Sequence, residues 1–80
     1  MKSYVVELAD ADLGAGERAR SAAEALTREG TAVRFVRSVF VPEDETCLLV
    51  FEARTPDAVA LAGRRAGLTH ARIVEGGGQT

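Results

Sequence analysis

"TAVRFVRSVFVPEDETCLLVFEA", residues 31–53, decides how this 80-residue chain folds. Two apolar-rich runs flank a polar segment, "PEDET" (42–46). Proline presets the backbone for an early turn position and aspartate bonds the backbone just beyond itself, so the segment joins two antiparallel strands. The first run, 31–41, is a long strand with imperfect alternation. Val33, Phe35, Val39 and Val41 share one parity and Arg34 and Ser38 the other, while Arg37 breaks the first set and Val36 and Phe40 break the second. The second run, "CLLVFEA" (47–53), is apolar without a break from Cys47 to Phe51. A strand with one wet face alternates, so this run predicts a strand covered on both faces.

Outward from the hairpin, each flank carries a helix and a further strand. "GERARSAAEALTREG" (16–30) sets Ala19, Ala22, Ala23 and Leu26 at helical spacing, with Gly30 where a C-terminal cap belongs. "TPDAVALAGRRAG" (55–67) opens with Thr55 as N-cap, Pro56 at the first helical position and Asp57 in the first turn, and it closes at Gly67. "SYVVEL" (3–8) reads as a first strand ending in the small, turn-forming "ADADLGAG", and "HARIVE" (70–75) as a last one. "GGGQT" (76–80) reads as a disordered tail behind a single domain, 1–75.

The order strand, helix, strand, strand, helix, strand is the split βαβ arrangement of the ferredoxin-like α+β fold: a four-stranded antiparallel sheet with two helices on one face. The other face then needs a cover. Each large apolar side chain left wet forgoes about 1.5–3 kcal/mol, and an 80-residue chain is marginal alone. A second copy is the expected cover, giving a homodimer that closes as a dimeric α+β barrel.

Composition excludes several functions. Twelve acidic against ten basic residues give a net charge of −2, with no basic stripe for a phosphate backbone, so nucleic acid is not an expected partner. The N-terminal apolar run is broken by Glu7 and is far short of the ~20 residues that span a bilayer, so no membrane association is expected. The lone Cys47 forms no internal disulfide, in keeping with a cytoplasmic location.

The segment from Val33 through Ser38, "FVPEDETC" (40–47), "FEA" (51–53), "RRAGL" (64–68) and "RIVE" (72–75) resembles a family of small bacterial ferredoxin-like proteins described as nickel-binding. The resemblance implies the fold already read, and nickel or another divalent transition metal as the bound partner; composition and spacing alone imply no metal. Such metals take imidazole and thiolate, and the chain has one of each, His70 and Cys47. The first strand of this fold lies between the third and fourth, which brings Glu7, Cys47 and His70 to one end of the sheet, with Glu43, Asp44 and Glu45 close by in the turn. The bland alternative makes Cys47 a small buried hydrophobe, His70 a strand end and the acidic turn a solvated loop.

Two other functions stay open. Glu7 and Glu52 interrupt apolar strands, and an unpaired carboxylate against an apolar wall could serve a small barrel enzyme (isomerase, cyclase or monooxygenase type) as acid or base. The chain could equally be an interaction module without a ligand. Arg34 and Arg37 fall on opposite parities, so one of them is expected to turn inward and pair with Glu7 or Glu52. Arg18, Arg20 and Arg28 are expected to solvate the first helix without forming a patch.

Overall fold

The computed structural model of the chain describes residues 1–8, 14–68 and 72–75. The 42–46 segment does turn the chain back on itself, joining β2 (Val33–Val41) to β3 (Thr46–Ala53) as an antiparallel hairpin. Pro42–Glu45 form the loop, closed by the amides of Asp44 and Glu45 donating to the carbonyls of Val41 and Pro42, both at 3.2 Å. Before and after it come β1 (Lys2–Leu8), α1 (Ala15–Arg28), α2 (Pro56–Arg65) and β4 (Arg72–Glu75). The sheet runs β2-β3-β1-β4 with every neighbouring pair antiparallel, the ferredoxin-like arrangement expected of this order. The 76–80 tail and the first two residues of the expected last strand lie outside the described residues.

Both helices start and stop where local chemistry dictates. The Thr55 hydroxyl accepts from the Ala58 amide, and Pro56 sits where its missing N–H costs nothing. Gly30 and Gly67 have φ of 105° and 74°, a region open to glycine without penalty. Each lets the chain double back: Gly30 and Thr31 donate to Thr27 and Leu26, and Gly67 and Leu68 donate to Arg64 and Gly63, satisfying carbonyls the helix ends would leave bare.

The core lies between the helices and one sheet face. Cross-strand partners share a face, so Leu8 with Cys47, Val6 with Leu49 and Tyr4 with Phe51 form a buried ladder along β1 and β3. Ala15, Ala19, Ala22, Ala23 and Leu26 of α1 and Ala58, Val59 and Ala62 of α2 close over it. Small side chains let the helices approach closely, and fully buried Phe51, Leu49, Val6 and Val59 supply the bulk between them.

The broken alternation of 31–41 has one cause. The β2–β3 register shifts between Phe35 and Arg37, so Val36 is an extra, bulged residue. Val33 and Phe35 face the helices before it, and Ser38 and Phe40 after it; Arg34, Arg37, Val39 and Val41 all face outward. The expected opposite parities of Arg34 and Arg37 are thereby corrected, since one inserted residue cancels their odd spacing. Both arginines are exposed on the outer face.

Side chains also tie the two helices together. Arg18 is no solvating residue of α1 alone: its Nε donates to the Ala66 carbonyl at 2.8 Å, across to the end of α2. Arg65 holds the Glu29 carboxylate with two parallel hydrogen bonds of 2.6 and 3.0 Å, the bidentate geometry that makes guanidinium the preferred partner.

Candidate functional site

The outer face of the sheet is defined by register. Its rows run from β2 to β4 as Arg37, Val50, Val5 and Val74, then Val39, Leu48, Glu7 and Arg72, with Arg34, Glu52 and Ser3 bordering one side and Val41 and Thr46 the other. Both helices occupy the opposite face, where the fully buried parity lies. The central Val5, Leu48 and Val50 are partly exposed, and Val39 and Val74 keep 37% and 38% of their surface in solvent. The unbroken apolar run from Cys47 to Phe51 therefore divides: Cys47, Leu49 and Phe51 fill the core, and Leu48 and Val50 build this second face.

Four of the five charges on the face stand across from an opposite sign, and the fifth, Arg37, stands across from Val50. Arg34 stands across from Glu52 and binds it, Nη2 to Oε1, at 3.3 Å. Glu52 is thus a partnered carboxylate, held by one of the two arginines of β2. Glu7 and Arg72 are also cross-strand partners by register. These two opposite-sign pairs can be desolvated at lower cost than isolated ions.

Among the described residues, the candidate metal donors do not come together in one place. Glu7 and Cys47 do come to the same end of the sheet, since Leu8 pairs with Cys47 and Glu7 with Leu48. That one-residue offset sends them to opposite faces: Cys47 is buried beneath the helices, and Glu7 looks outward. Glu43, Asp44 and Glu45 are exposed in the hairpin loop, and His70 lies outside the described residues. Among the described residues no group of three or more histidine, cysteine, aspartate or glutamate side chains could hold a metal ion. No helix among them is long and apolar enough to cross a membrane.

The arginines of α1 differ from expectation. Arg20 and Arg28 do not stand apart; with Arg34 they border a groove of about 550 Å³ between α1 and β2. Sequence spacing held a partial signal, because positions 20 and 28 lie two turns apart on one helix face. The missing information was that β2 is the edge strand beneath that face.

Compared with known proteins, the chain matches no family model, no curated protein and no solved structure.

Proposed function

We propose that this chain works as a homodimeric module whose two sheets pack outer face to outer face in an α+β barrel. The observation that carries this reading is the outer sheet face itself, a contiguous band of Val5, Val39, Val41, Leu48, Val50 and Val74 lying away from both helices. Four strands about 4.8 Å apart and some seven residues long, at about 3.3 Å each, give a face of roughly 15–20 Å by 20–25 Å. Its corrugated surface is of the same order as the ~800 Å² each partner contributes to a stable interface. Composition favours a second copy over a charged partner: three arginines and two glutamates stand on the face, so neither sign dominates and a two-fold mate offers matching apolar area and compensating charge. Nickel binding is supported by the family resemblance alone, and no arrangement of the described residues adds to it.

Sedimentation at micromolar concentration is expected to give twice the 8.5 kDa of one chain. Val50→Asp places a charge at the centre of the face without touching the core, and should yield folded monomer with unchanged helix content. A wild-type mass of one chain, or a V50D protein still fully dimeric, would refute the face-to-face arrangement.

A further inference from the structure

The groove between α1 and the edge strand β2 shares Arg34 with the border of the proposed dimer face but opens toward the helix and has its own chemistry. Its floor is apolar, formed by Ala23 and Val33, both buried, and half-buried Phe35. Its rim is charged and exposed: Arg20, Glu24 and Arg28 from the helix and Arg34 from the strand. Three guanidinium groups against one carboxylate make a cationic border on a chain whose net charge is −2. Its walls are fixed to each other, because the Thr27 hydroxyl donates to the Val33 carbonyl at 2.8 Å.

Arg20 is also held in place. Its guanidinium carbon lies 5.6 Å from the centre of the Phe35 ring, and Phe35 is in turn braced edge-on against Phe51 of the core, centroids 5.5 Å apart. An arginine steadied by an aromatic ring loses less freedom when its planar fork takes up a carboxylate. Arg34 already shares its charge with Glu52, so Arg20 and Arg28 are the cations that an incoming anion would meet. A concave site of this size, apolar below and with a few placed polar groups above, has the form of a small-molecule pocket.

We propose that this groove binds a small amphipathic carboxylate, its apolar part lying on Ala23, Val33 and Phe35 and its carboxylate held by Arg20 with support from Arg28. The assignment is independent of the dimer reading, because the groove belongs to one chain.

Amide-resolved NMR titration with decanoate tests it, with decyltrimethylammonium and acetate as companion probes. Decanoate should give saturable shifts concentrated in residues 20–35, while decyltrimethylammonium and acetate should each bind at least about tenfold more weakly, since the first lacks the anion and the second the apolar tail. Arg20→Gln should weaken decanoate by about fivefold or more, and R20Q/R28Q by about tenfold or more, with the amide fingerprint otherwise kept. The proposal fails if decanoate produces no saturable shifts there, if its shifts centre on Val5, Leu48 and Val50 instead, or if the cation of equal tail length binds as well. The comparison of head groups uses the unaltered chain, so the test survives a variant that does not fold.

Discussion

Cys47 shows how a single residue's face changes its chemistry. Read along the sequence, a thiol closing an acidic run invites a metal. Within the hairpin it stands at a core-facing position, 8% exposed, in the row that pairs it with Leu8, while the acids before it are turn residues held by their own backbone bonds. The sequence offered Cys47 as a small buried hydrophobe only as the alternative to a metal ligand, because the unbroken run 47–51 hides the alternation of Cys47, Leu49 and Phe51 that the folded strand shows. The face of Glu7 relative to it was not legible, because that depends on a register differing by one residue. Cys47→Ser should lower stability in urea unfolding, since a hydroxyl is costlier to take out of water than a thiol, and should leave nickel affinity within about twofold. A tenfold loss of nickel affinity would make Cys47 a ligand after all, and would require the β3 N-terminus to open.

At the scale of elements, both helices and all four strands could be read from spacing, caps and turn residues, since these signals are local. The bulge was not read, because broken parity in 33–41 announces an extra residue without saying which one; only pairing against β3 shows that it is Val36. Contacts between helices were hidden for the same reason, and the Glu29–Arg65 pair joins residues 36 apart in sequence. Its hydrogen bonds and charge hold the Glu29 carboxyl below its ordinary value of about 4.5, and raise Arg65 in return. A carboxylate whose pKa is lowered on folding adds stability above its unfolded value and loses it as pH falls through the folded one. Wild type should therefore exceed Glu29→Gln in stability at pH 7, and the gap should shrink below about pH 4.5 in chemical melts taken across pH. A gap of constant size from neutral to acid pH would assign the effect to packing. The pair lies at the surface, so the difference should also diminish in high salt.

The two sheet faces place opposite demands on the whole molecule. One is filled by alanine-lined helices and closed by Phe51 and Leu49; the other leaves Leu48 and Val50 at the surface of a chain of only 80 residues. A chain this short buries too little area in its own core to be robust, so stability gained from a second copy is coupled to folding itself. For a dimer that unfolds to separated chains, each tenfold rise in concentration adds about 1.4 kcal/mol to the stability of the pair. With an unfolding enthalpy near 0.7 kcal/mol per residue, Tm should climb by roughly 4–5 °C per tenfold increase. Calorimetry over two decades of concentration should show that slope for the wild type and a flat Tm for V50D, whose face cannot be shared. A flat wild-type Tm together with a mass of two chains would mean that each monomer folds without its mate. The outer face would then be a docking surface on an already stable domain, rather than the missing half of its core.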